Sequence, residues 1–231
     1  MLVIIISMLP RRPHWIARGY YWLADRLYNE LAWVYDPVSW LVSLGQWDTV
    51  RKWALDYLVG RRILEIGFGT GELLLEMVRR DIQVVGLDAS AAMHRQARNK
   101  LRRSGVWVPT IRGFAQRMPF SNNSFDTIIA TYPAGYIFDP ATWSEVARLL
   151  RSGPAAPAGK GSGRFIVVGT GLSSTAKPFR TETHFFFGLP MEDLLAHFQQ
   201  LAQSAGLDLQ VVMRQHGAVD VPILIAELSS A

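Results

Sequence analysis

The chain has no cysteine. Disulfides, thiolate zinc sites and cysteine nucleophiles are therefore excluded. Acidic residues are missing from one long stretch. From Ala89 to Phe125 there is no Asp or Glu, while Arg95, Arg98, Lys100, Arg102, Arg103, Arg112 and Arg117 all fall there. Those seven positive charges exceed the net +5 of the whole chain. Such a run reads as a solvated helix face or as an anion-binding patch. Apolar runs of membrane-spanning length are also lacking. The stretch Leu2 to Leu9 (LVIIISML) is far shorter than the roughly 20 residues that a bilayer requires. No basic segment precedes it and no small-residue cleavage site follows, so a secretory signal is not expected.

What is abundant is aromatic. Trp15, Trp22, Trp33, Trp40, Trp47 and Trp53 lie in the first quarter of the chain, with Tyr20, Tyr21, Tyr28, Tyr35 and Tyr57 among them. Ile16, Tyr20, Leu23, Leu27 and Leu31 follow helical spacing and give one apolar stripe. Residues 1–59 are expected to form a helical cap. It either packs on the core, closes as a lid over an apolar substrate, or rests in a lipid interface, where Trp and Tyr are favoured.

From Gly60 onward strands and helices alternate. ILEIGF (63–68), IQVVGLD (82–88), WVPTIRGF (107–114), FDTIIATYP (125–133) and RFIVVGT (164–170) are short β-rich runs, with helical stretches near 71–80, 90–103 and 141–151. A further helix (MEDLLAHFQQLAQSAG) and two strands (LDLQVVMRQ, VPILIAEL) follow. This pattern predicts an α/β, Rossmann-like unit over 60–231. It would be a seven-stranded, mostly parallel sheet with helices on both faces. The Gly, Pro and Ala-rich stretch 151–164 reads as an exposed loop before the fifth strand.

The first strand ends in Gly67, Phe68, Gly69, Thr70, Gly71, and a leucine-rich helix follows. Glycines let a ligand approach the backbone closely, and a helix start offers unpaired N–H groups. No Lys follows the glycines, so this is not a phosphate-binding P-loop. A dinucleotide fingerprint needs G-x-G-x-x-G/A. Here the spacing is G-x-G-x-G, and Glu72 would repel a pyrophosphate. S-adenosylmethionine has no phosphate and suits acidic company. Glu65 is placed to face its ammonium end. Asp88, 21 residues after Gly67, ends the second strand, where it can accept both ribose hydroxyls.

Those residues resemble the class I S-adenosylmethionine-dependent methyltransferases. The likeness runs from Gly60 to Leu228 through ILEIGFGTG, VVGLDAS and GFAQRMPFSNNSFDTIIA. Upstream, YDPVSWLVSLGQWDTVRKW (35–53) resembles a segment typical of ubiquinone/menaquinone C-methyltransferases and some phospholipid N-methyltransferases. The resemblance puts the family's cofactor contacts on Thr70, Asp88, Ala115 and Thr131; with Glu65, Gly67, Gly69 and Gly71 of the turn, and with Ala89 and Phe114, these make up the expected cofactor site. The resemblance also implies methyl transfer without a metal, leaving S-adenosylhomocysteine. Relatives of this type usually carry an acidic residue where Phe114 stands. Phe114 therefore either flanks the purine, with recognition leaning on the Ala115 N–H and Gln116, or turns inward as core.

For catalysis the candidates are Tyr132 and Tyr136 after the fourth strand, and His184 as a base for a quinol hydroxyl. His14, His94, His197 and His216 are assigned to helix faces or the far strands. Three readings follow. The chain methylates an apolar small molecule such as a quinone or lipid; it methylates nucleic acid; or it is a non-catalytic scaffold at a membrane surface. The first is preferred, with a cytoplasmic location and peripheral contact with anionic membrane as the expected setting.

Overall fold

The computed structural model describes residues 46–152, 163–170, 173–174, 190–217 and 219–229. Helix α1 (Gln46–Lys52) runs into a 3₁₀ turn (Trp53–Tyr57). Then come β1 (Ile63–Ile66), α2 (Glu72–Arg79), β2 (Val84–Asp88), α3 (Ala91–Arg103) and β3 (Thr110–Arg112). After β4 (Thr127–Thr131) and a 3₁₀ turn (Gly135–Phe138) come α4 (Pro140–Leu149), β5 (Arg164–Val168) and β6 (Ser173–Ser174). Helix α5 (Met191–Ser204) and strands β7 (Leu207–His216) and β8 (Val219–Leu228) close the chain.

The strand order is β3-β2-β1-β4-β5-β8, with β7 on the far edge of β8. β1 to β5 are parallel, and β8 runs antiparallel to both β5 and β7. This is the expected seven-stranded sheet with one addition. The two-residue β6 pairs with Val219 and Asp220 of β8, along the edge that β5 occupies from Ile223 to Glu227. It prolongs the line of β5 after the chain breaks at Gly169.

Alternation along the central strands divides the core. Leu64, Ile128, Ala130, Phe165, Val167 and Leu224 face Trp143 of α4 and Phe198 of α5. Ile63, Ile129, Ile166, Val168 and Ile223 face Val50 of α1 and the leucines of α2. By the same period Glu65 lies on the α1 side of the sheet, and so does Thr131. The described part of the N-terminal region is thus a layer of the core, with Val50, Trp53, Ala54 and Leu55 buried. Arg214 of β7 stacks over Trp53, 4.5 Å from its centroid, and ties this layer to the far strands.

Two helix starts bear on the site. Ser90 caps α3 by accepting the Met93 N–H at 3.3 Å, and Asp139 caps α4 by accepting the Ala141 N–H at 3.0 Å. The strand expected over 107–114 shrinks to β3. Pro109 has no N–H to add to a ladder, and Trp107 is 81% exposed. Of the loop before β5, residues 153–162 lie outside the described residues, as do residues 1–45 and with them Tyr35.

Candidate cofactor and acceptor site

The turn after β1 is stitched to the end of β2. Gly67 N–H donates to Leu87 O at 2.7 Å, and Gly69 N–H donates to Asp88 Oδ2 at 2.9 Å. The other oxygen, Asp88 Oδ1, accepts the Ser90 N–H at 2.8 Å. A carboxylate has about four acceptor positions, so this arrangement leaves capacity for two ribose hydroxyls. Burial lifts the Asp88 carboxyl above its ordinary range, against the pull of those two N–H groups and of His94.

Gly67 and Gly69 take positive φ, 68° and 54°, for different reasons. A Cβ at Gly67 would stand 2.6 Å from Tyr136 Oη, so this glycine serves packing. A Cβ at Gly69 would meet nothing within 4 Å among the described residues. The chain turns there beside open space, as a backbone does that receives a ligand. Gly71, the α2 N-cap, backs onto Ala97. Thr70 is buried between them, and Lys100 Nζ lies 3.4 Å from its hydroxyl while pairing with Glu72. That ion pair neutralises the helix-start carboxylate.

Beneath the turn lies Glu65, 1% exposed, whose Oε2 is buried without a hydrogen-bond partner among the described residues. Burial raises its pKa to about 8, the nearby Arg51 guanidinium pulls it back, and Asp88 pushes it further up. An unpaired buried carboxyl oxygen is costly unless something supplies a donor. A cationic ammonium group fits that position.

At the β4 end, Thr131 is the buried last residue of the strand. Tyr132 follows with φ 47°, a left-handed conformation costing about 1–3 kcal/mol in a non-glycine residue. It is held there by its N–H to Val168 O at 2.8 Å and by its ring against Gly169, where a Cβ would come within 2.3 Å of that ring. Tyr136 donates its hydroxyl to Ile66 O at 3.0 Å. Burial, with Asp88 and Glu65 adding to it, raises its pKa, so the phenol stays protonated. Tyr136 is therefore no base and braces the turn.

The adenine side departs from expectation. Phe114 is 69% exposed, which rules out the inward core position. Ala115 is the buried residue there. The Gln116 amide donates to Asp139 Oδ2 at 3.2 Å and so has a partner within the protein. Ala89, half-buried, gives its carbonyl to Arg112 Nε at 3.1 Å. His184 lies outside the described residues.

Sequence reasoning missed three groups. His94 is more than a helix-face residue: its Nε2 lies 3.2 Å from Asp88 O and 3.1 Å from Ile111 O, and its ring meets Phe68 edge-on. It holds the ends of β2 and β3 beside the cofactor turn. Its place six residues after Asp88, on the first turn of α3, was the available signal. Thr170 is buried just past β5 with a hydroxyl that has no partner among the described residues, and nothing in its neighbourhood in sequence marked it. Arg51, whose charge acts on Glu65, comes from a helix whose docking only the structure reveals.

Residues 63–153 match the family described as "Methyltransferase domain". The demethylmenaquinone methyltransferase of Symbiobacterium thermophilum is 27% identical over 197 residues, covering 80% of this chain and 72% of that one. The enzyme of the same name from a Roseiflexus species is 27% identical over 228 residues, covering 90% of each. Among solved structures, a putative S-adenosyl-L-methionine-dependent methyltransferase from Methanococcus maripaludis superposes with a TM-score of 0.64. It is 14% identical and covers 88% of this chain and 95% of its own. The fold is thus that of the Rossmann-like methyltransferases, and nothing in these relatives supports a non-catalytic scaffold.

Proposed function

We propose that this chain, an S-adenosylmethionine-dependent methyltransferase of the class I fold, methylates an apolar quinone-type small molecule. The observation that carries the cofactor assignment is the buried carboxyl pair Glu65 and Asp88 beside the open side of Gly69. In this reading Glu65 receives the ammonium of the amino-acid end and Asp88 the ribose hydroxyls. The turn Gly67–Gly71 carries the backbone past the ligand, with Thr70 and Ala89 lining it. Phe114 flanks the purine, and Ala115 offers its N–H to it. Thr131 closes the methionine side.

The cofactor supplies a methyl group already activated by its sulfonium charge. The protein has then to hold an acceptor in line and keep water out, and positioning alone contributes several kcal/mol. Tyr132, locked by Gly169, presents a rigid aromatic face at the carboxyl ends of β4 and β5, where ligands of open α/β sheets bind. The buried Thr170 hydroxyl offers a hydrogen bond to a ring oxygen there. His184 remains the proposed base for a quinol hydroxyl. The choice of a quinone rests on the two relatives named demethylmenaquinone methyltransferases and on the aromatic N-terminal region.

The test is transfer of labelled methyl from S-adenosylmethionine to a reduced, prenylated naphthoquinone, read in the organic extract. Label in the quinol with none in RNA supports the proposal. Label in RNA with none in the quinol overturns it.

A further inference from the structure

Three arginines of the basic stretch take no part in the site. In α3 the side chains of Arg95, Arg98 and Arg102 are exposed, and among the described residues they have no ion pair or hydrogen bond. Their spacing of three and four residues puts them on one stripe of the helix. That stripe borders a cleft of about 900 Å³ between α3 and β3, the edge strand of the sheet. Val106, Val108 and Ile111 give the cleft apolar walls, and Trp107 stands at it, 81% exposed.

We propose that this edge, the arginine stripe of α3 with Trp107 of the β3 segment, docks on an anionic lipid surface. The charges match: the stretch Ala89 to Phe125 holds seven cations and no acid, so no carboxylate of its own opposes a negative surface. Arginine pairs with lipid phosphates, and the indole of Trp partitions to the boundary between headgroup and hydrocarbon. A polyanion such as RNA satisfies the arginines. Single-strand binding stacks successive bases on several aromatics, and among the described residues Trp107 is the one exposed aromatic lining the cleft beside these arginines. The proposal goes beyond the methyl-transfer reading and stands without it.

The test is flotation of the full chain with vesicles of phosphatidylcholine alone or with phosphatidylglycerol added, beside a filter-binding assay with mixed RNA. The chain should float with the anionic vesicles only, and less at high salt. The triple variant R95Q/R98Q/R102Q should lose about 100-fold in partitioning. Trp107→Gln should weaken binding in a way that salt does not reproduce. Both variants should keep the melting temperature, and methyl transfer to a water-soluble short-chain quinol, at the parent level. Failure of that transfer in parent and variants alike bears on the proposed function and leaves the docking result standing. No binding to anionic vesicles, undiminished binding by the triple variant, or binding to RNA without binding to vesicles would overturn the docking proposal.

Discussion

Asp88 Oδ2 accepts the backbone N–H of Gly69 at 2.9 Å, across 19 residues of chain. One carboxylate thereby fixes the glycine turn to the end of the neighbouring strand before any ligand arrives. The turn and the proposed ribose acceptor form one rigid unit, and changes to either should act on both.

Asp88→Ala removes the acceptor of two buried N–H groups as well as the ribose contact. It should lower stability by about 1–3 kcal/mol and weaken S-adenosylmethionine binding besides. Asp88→Asn keeps one acceptor oxygen and should recover part of the stability and little of the affinity. Thermal melts with and without ligand separate the two effects.

Gly67 and Gly69 should differ although both have positive φ. Gly67→Ala places a methyl against the Tyr136 hydroxyl and should destabilise the free protein strongly. Gly69→Ala meets no atom of the described residues and should cost about 1–2 kcal/mol from backbone strain. Its larger effect should be on cofactor affinity, because the methyl points where the ligand approaches. If Gly69→Ala binds S-adenosylmethionine as the parent does, that face is not the cofactor side.

The sheet was largely legible in the sequence because each central strand is an apolar run between turn signals, and each helix carries one apolar stripe. Gly67, Gly69, Glu65 and Asp88 were legible because a tight turn and one βαβ step fix their spacing. The position of Phe114 was open, since a lone aromatic after a short edge strand fits a core or a ligand equally. Its 69% exposure decided this. Thr170 was not legible, and His94 only by its place six residues after Asp88, because their roles depend on strands brought beside them by crossovers. The same holds for Arg51 over Glu65.

Glu65 predicts a pH dependence. Its folded pKa of about 8 lies above the ordinary 4.5, so between these values the folded chain holds more protons than the unfolded one. Its contribution therefore makes the ligand-free protein less stable as pH rises through that window. Glu65→Gln should flatten this slope. A cationic ammonium beside Glu65 would favour its ionised form, so cofactor binding should release a proton. Affinity should then rise with pH up to about 8, by at most about tenfold per pH unit, and the rise should vanish in Glu65→Gln. Calorimetry in buffers of different ionisation enthalpy counts the proton.

Tyr132 and Tyr136 should separate into an acceptor contact and a brace. Tyr136→Phe leaves Ile66 O without its donor and should cost about 1 kcal/mol of stability. Tyr132→Phe keeps the ring that packs on Gly169 and should lower turnover by more than any loss of stability accounts for. Unchanged turnover in Tyr132→Phe would remove its hydroxyl from the acceptor side.

The central claim is that the turn after β1, with Glu65 and Asp88, holds S-adenosylmethionine. Calorimetric titration of the purified chain tests it most directly. S-adenosylmethionine and S-adenosylhomocysteine should each bind at one site per chain, Gly69→Val should abolish that binding, and NAD should give no heat of binding. Tight NAD binding, or S-adenosylmethionine binding that survives both Gly69→Val and Asp88→Ala unchanged, would contradict the account.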